Sequence, residues 1–249
     1  MIVFDRPGYG YSERPRSTVW TPAAQARLLK QALDRIGVEH PIVLGHSWGT
    51  LVALSMALQC PEAVRALVLL SGYYYPSLRL DAPLAAPPAI PIIGDLLRYT
   101  VAPLLGRLMW PAIKRRMFGP APVPDRFQRL PVWMLLRPSQ LRASAAESAL
   151  MIPSAMMLSD HYPELTMPVL ILAGSEDRIA DVAHNAERLH VAVPHSSLSV
   201  ERGVGHMIHY AKVEDILHAI DTLQGAPPGP VQPNLQPAQE ETQEVRART

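Results

Sequence analysis

The segment Gly45-His46-Ser47-Trp48-Gly49 constrains this chain more than any other. It stands between Pro41-Ile42-Val43-Leu44, an apolar run of strand type, and Trp48 to Gln59, which is apolar nearly all round as a helix packed on a sheet must be. A serine held in so tight a strand-to-helix turn asks for residues without side chains two positions either way, so that the backbone can close. The turn lifts the hydroxyl to the carboxyl end of a sheet and to a helix N-terminus, where backbone N–H groups favour developing negative charge. Ser47 is the candidate nucleophile.

The rest of the pattern supplies such a sheet. Ile2-Val3-Phe4 reads as a short buried strand that ends in the turn formers Asp5 to Gly10. Thr21-Pro22 gives a helix cap and a proline at the first helical position. Ala26, Leu29, Leu33 and Ile36 then share one face before Gly37 stops the helix. Further strands are expected at Ala66 to Leu70, Pro168 to Leu172 and near Ser197 to Val200, with helices near Ala183 to Val191 and from Tyr210 to Leu223. Strands alternating with helices imply an α/β fold with a mostly parallel sheet flanked by helices. Between Tyr73 and Met167 the pattern changes to irregular helical pieces rich in Pro, Leu, Met and Arg, with no strand signal. The expected organisation is therefore a first part of the core over 1–72, an inserted helical lid over 73–167 and a second part of the core over 168–224. The stretch 225–249, rich in Pro, Gln and Glu, is expected to be a disordered tail.

A serine hydroxyl at neutral pH needs a base to take its proton and a third group to orient that base. Asp177, in Ala173-Gly174-Ser175-Glu176-Asp177-Arg178, follows one strand, and His206, in Gly203-Val204-Gly205-His206, follows another. Both positions lie at strand carboxyl ends, where loops converge. Glu176 and Asp181 are rivals for the acid, and His209 is the rival for the base.

Charge excludes some classes of partner. The chain has 23 Lys and Arg against 22 Asp and Glu, a formal net charge of +1, so no basic face for nucleic acid is implied. Cys60 is the single cysteine, without His or Cys at metal-ligand spacing, and fits a reducing, cytoplasmic location. No metal or cofactor site is recognisable, and the partner expected is a small-molecule substrate. The apolar region Ala82 to Trp110 is broken by Asp95, Arg98, Arg107 and prolines, short of the ~18 uninterrupted apolar residues that a membrane span needs. Contact of the lid with a membrane surface is the less favoured alternative. Trp110 and Trp133 are the candidate substrate contacts, roofing the nucleophile with apolar surface for an uncharged, fairly hydrophobic substrate. The alternative is that they pack the lid onto the core.

Asp5-Arg6-Pro7-Gly8-Tyr9-Gly10-Tyr11-Ser12, the serine turn, Gly174-Ser175-Glu176-Asp177 and Gly205-His206 together resemble the α/β-hydrolase superfamily, in its epoxide-hydrolase, haloperoxidase and esterase-like branch. The resemblance implies a triad of Ser47, Asp177 and His206, with the Trp48 backbone N–H donating to the oxyanion. Epoxide hydrolases and haloalkane dehalogenases of this superfamily carry an aspartate nucleophile, so Ser47 argues against both chemistries. Members of the family carry a His-Gly segment after a third strand, upstream of the Asp-Arg motif, which supplies a second oxyanion donor. Its absence here implies an N-terminally truncated chain whose first three strands are missing. The function implied is hydrolysis of an ester-like carbonyl. The alternatives are a truncated relative without catalysis and a cofactor-free haloperoxidase or perhydrolase.

Overall fold

The computed structural model describes residues 1–77 and 86–225. Among these residues a four-stranded sheet runs in the order β1 (Ile42–His46), β2 (Ala66–Leu70), β3 (Val169–Gly174), β4 (Ser197–Glu201), with every neighbouring pair parallel. The register places Ile42 opposite Ala66, Leu67 opposite Val169 and Leu170 opposite Ser197. β2 is buried at all five residues, as a strand covered on both faces must be.

The twofold alternation along β2 divides the core. Leu67 and Leu69 join Ile171 and Ala173 beneath α1 (Pro22–Arg35) and α2 (Trp48–Gln59), while Val68 and Leu70 join Leu172, Ile208 and Ile216 on the opposite face. α1 begins as its sequence requires. The Thr21 hydroxyl accepts the Ala24 N–H at 3.2 Å, Pro22 takes the first helical position, and Gly37, at φ 69°, follows the end.

Between β2 and β3 the described chain is helical. It forms α3 (Ile93–Tyr99), α4 (Val101–Phe118), single turns at Asp125–Gln128 and Val132–Leu135, and α5 (Pro138–Ser159). α5 packs against α2 and carries Glu147, a carboxylate 5% exposed, into a polar cluster. There Glu147 accepts from Arg6 Nη1 at 2.5 Å and Nη2 at 3.1 Å, from the Tyr9 hydroxyl at 2.8 Å and from Gln25 Nε2 at 3.1 Å. Burial, with the Glu147 charge adding to it, pushes the Tyr9 phenol well above its ordinary range, so Tyr9 remains a donor. A buried carboxylate with this many donors is compensated, and it fastens the Asp5 to Gly10 loop to α5.

Three sequence expectations need correction. Ile2-Val3-Phe4 forms no strand: no β1 backbone group pairs with it, and Ile2 and Val3 stand 50% and 81% exposed. A strand exists only through a neighbour's ladder, and none lies beside these residues. β1 is accordingly an edge strand, with Leu44 45% exposed. The helix expected from Tyr210 to Leu223 is divided at Lys212 (φ −124°, ψ 45°) into a turn at Ile208–Ala211 and α7 (Val213–Gly225). The helix expected near Ala183 begins as a π-turn at Ala183–Glu187 and continues as α6 (Arg188–Ala192). The expected tail beyond Gly225, and residues 78–85 of the expected lid, lie outside the described residues.

Candidate active site

Ser47 sits between β1 and α2 with φ 52° and ψ −122°, a positive φ that non-glycine residues adopt only at a cost of about 1–3 kcal/mol. Backbone bonds hold it there. The Ser47 N–H donates to the Leu70 carbonyl at 3.0 Å, and the Ser47 carbonyl accepts the Thr50 N–H at 3.0 Å and the Thr50 hydroxyl at 2.7 Å. No side chain hydrogen-bonds to the N-terminus of α2, which begins at Trp48. The two glycines of the motif differ. A Cβ on Gly45 would stand 2.5 Å from the Gly49 carbonyl oxygen, so Gly45 is required. A Cβ on Gly49 would meet nothing within 4 Å, so the expectation of a steric need on both sides holds only for the N-terminal one.

Asp177 and His206 meet at the carboxyl ends of β3 and β4. His206 Nδ1 donates to Asp177 Oδ2 at 2.8 Å, with the two side chains 5% and 0% exposed. The other carboxylate oxygen, Oδ1, accepts the N–H groups of Ile179 at 2.8 Å and Ala180 at 2.9 Å. Every oxygen of this buried carboxylate is therefore occupied, which fixes its plane and the ring it faces. The loops approach closely: a Cβ on Gly174 would lie 2.2 Å from the Val204 carbonyl oxygen. The rival carboxylates are elsewhere. Glu176 is exposed, and Asp181 is an exposed cap that accepts the His184 N–H at 2.8 Å.

Three imidazoles cluster beside the serine turn. His46 lies 4.9 Å from His206 and 4.4 Å from His209, centroid to centroid. Its Nε2 stands 3.0 Å from the His206 carbonyl, which can only accept, so Nε2 carries the proton. Burial, and then the neighbouring His206 and His209, hold His46 far below the usual imidazole range. His209 is lowered to about 4, by burial first and then by His206 and Arg126, and its buried Nδ1 has no hydrogen-bond partner. The rival base is thus a neighbour of His206 rather than a partner of Asp177. His46 carries no signal in the sequence, because nothing in its spacing marks a histidine beside a serine.

The two tryptophans part company. Trp110, on α4, stacks on Phe127 at 5.9 Å in an apolar cluster with Phe118, Tyr210 and Met207, the residue after His206. The Met207 N–H also donates to the Met117 carbonyl at 3.2 Å, joining the end of α4 to the His206 loop. Trp133 is 68% exposed on the single turn Val132–Leu135. Among the described residues no group of three or more His, Cys, Asp or Glu is placed to hold a metal ion, and no helix is long and apolar enough to cross a membrane.

The sequence profile of the alpha/beta hydrolase fold matches residues 1–213. The chain belongs to the α/β-hydrolase family. An uncharacterized protein from Mycobacterium tuberculosis is 29% identical over 216 residues, covering 83% of this chain and 62% of that protein. The chain thus spans less than two thirds of the length of such a relative. Among solved structures, an esterase from Exiguobacterium antarcticum superposes with a TM-score of 0.62 at 20% identity, covering 88% of this chain and 79% of its own. Est816, described as an N-acyl homoserine lactone degrading enzyme, superposes with a TM-score of 0.58 at 21% identity, covering 88% and 80%. At these identities the superpositions establish the α/β-hydrolase fold.

Proposed function

We propose that this chain is a hydrolase and acts by acyl transfer through Ser47, His206 and Asp177 on an ester-like carbonyl of a small, fairly apolar molecule. The observation that carries the reading is the buried Asp177–His206 pair at 2.8 Å, whose His206 carbonyl is bonded to His46, the residue before a serine held at positive φ. His206, donating from Nδ1 to a carboxylate, keeps a lone pair on Nε2 and takes the Ser47 proton as Oγ bonds to the carbonyl carbon. The oxyanion that forms faces the Trp48 N–H at the uncapped N-terminus of α2. The carbon–oxygen bond to the leaving group then breaks as His206 returns its proton to that oxygen. Water, deprotonated by the same imidazole, releases the acid from Ser47.

The apolar cluster around Trp110, Phe118 and Met207 adjoins the base, and on this reading the helical insertion expected over 73–167 serves as a lid over this end of the sheet. Such a wall favours an uncharged substrate. An ester and an N-acyl homoserine lactone, the substrates named for the two structural relatives, share the electrophilic carbonyl that this chemistry attacks. A fluorophosphonate probe should label the folded chain at Ser47 and fail to label Ser47→Ala. A folded chain that takes no label and turns over no nitrophenyl ester would overturn the reading in favour of a relative without catalysis.

A further inference from the structure

The outer face of α4 is apolar where a surface helix should be polar. At 3.6 residues per turn, Val101, Leu104, Leu105, Leu108, Met109 and Ala112 fall within an arc of about 140°. This arc faces outward: Leu104 is 71% exposed, Leu108 77% and Met109 55%, whereas Trp110, on the opposite side of the helix, packs inward on Phe127. Of the 18 residues only Phe118 is buried. α3 is joined to α4 by Thr100 alone, and its cap Ile92, with Leu96 and Tyr99 within it, is likewise exposed, at 82%, 67% and 73%. A monomer in water rarely leaves so many neighbouring large side chains uncovered.

The charges on α4 have one sign. α4 carries Arg107, Lys114, Arg115 and Arg116 and no acidic residue, in a chain whose net charge is only +1. Arg107 flanks the apolar arc, and Arg115 and Arg116 continue it at its C-terminal end. Asp95 of α3 is engaged by Arg16 and Arg98, which hold its carboxyl down to about 2, so it offers no free negative charge to oppose them. An apolar stripe bordered by cations is the pattern of a helix lying in the plane of a lipid surface, side chains among the acyl groups and cations at the headgroups. A second copy of the chain fits less well, because it would bring two such basic helices together.

We propose that the α4 face, with Ile92, Leu96 and Tyr99, docks the protein on an anionic lipid surface without crossing it. The inference stands on exposure and charge and does not depend on the catalytic reading. The test is co-sedimentation of the 249-residue chain with phosphatidylglycerol/phosphatidylcholine vesicles and with phosphatidylcholine alone. Binding is expected to the anionic vesicles, weakened by salt and weak on the neutral ones. Leu104→Glu/Leu108→Glu should abolish it, and Arg107→Glu/Arg115→Glu, which changes only exposed cations, should lower the partition coefficient about tenfold or more. Circular dichroism and thermal unfolding show whether each variant is folded. No binding by the unaltered chain, or binding that both folded variants retain, would overturn the proposal. So would sedimentation as a dimer that Leu104→Glu/Leu108→Glu dissociates, since the face would then belong to a second copy.

Discussion

His46 donates its Nε2–H to the carbonyl of His206 across 3.0 Å, so the residue before Ser47 is bonded directly to the loop that carries the base. The serine turn and the His206 loop are therefore not placed independently. His46→Phe keeps a ring in the same space and removes the donor, leaving the carbonyl unpaired at a cost of about 1–3 kcal/mol of stability. On the catalytic reading, kcat should fall while KM changes little, because the bond positions His206 and touches no substrate. His46→Gln, which can donate again, should recover part of the loss. Equal kcat for the Phe variant and the parent would remove this role from His46.

Asp177→Asn should lower kcat by about 10⁴ with KM nearly unchanged, by analogy with the same substitution in a serine protease. The reason is local. Oδ1 of Asp177 already accepts two backbone N–H groups, from Ile179 and Ala180, so an asparagine would keep its oxygen there and turn its NH₂ toward His206. His206 Nδ1 would then have to accept, moving the proton to Nε2, where it blocks the base. Ester turnover in the pH range 6–9 measures the loss, and a drop of less than tenfold would place the orienting carboxylate elsewhere.

The two glycines of the serine motif give a matched pair. Gly45→Ala would drive a Cβ to 2.5 Å from a carbonyl oxygen that belongs to the turn itself, so soluble folded protein should drop sharply. Gly49→Ala enters open space at a helical position and should leave the thermal midpoint unchanged or raise it by a few degrees. A thermal melt of both variants separates them.

Acid should destabilise the chain through the imidazole cluster. His209 titrates near 4 in the folded chain and near 6.5 when unfolded, so between those values the unfolded state binds the extra proton. The stabilising contribution of a neutral His209 is complete above about pH 6.5 and is lost progressively as pH falls toward 4; His46, lowered by the same burial, adds in the same direction. The urea midpoint at pH 5 should lie below that at pH 7.5. His209→Phe should flatten part of that difference, and an unchanged slope in this variant would assign it to other groups.

The legible parts of this molecule were those written in local pattern. The α2 helix and the β2 strand occupy the positions their apolar runs indicate, and Thr21-Pro22 starts α1 where capping chemistry places it. The pairing of Asp177 with His206 was indicated by strand-end loops and family order. What escaped was set by neighbours. Ile2-Val3-Phe4 has strand composition, yet a strand needs a ladder beside it. Lys212 interrupts a helix with no proline or glycine to announce it. His46 and Glu147 owe their surroundings to residues 160 and 141 positions away, a separation that no local pattern records.

Glu147 bears on how the helical segment between β2 and β3 is divided. Along the chain α5 is part of the insertion, but its carboxylate is clasped by Arg6, Tyr9 and Gln25, and the helix rests on α2. Breaking that clasp with Glu147→Ala would leave Arg6 uncompensated, at about 3–5 kcal/mol. In native-state hydrogen exchange the amides of α5 should therefore open with α1 and α2, at the free energy of global unfolding, while those of α3 and α4 exchange at lower cost. The cooperative unit would then cut across the insertion, with α5 a fixed abutment against which the remainder can swing.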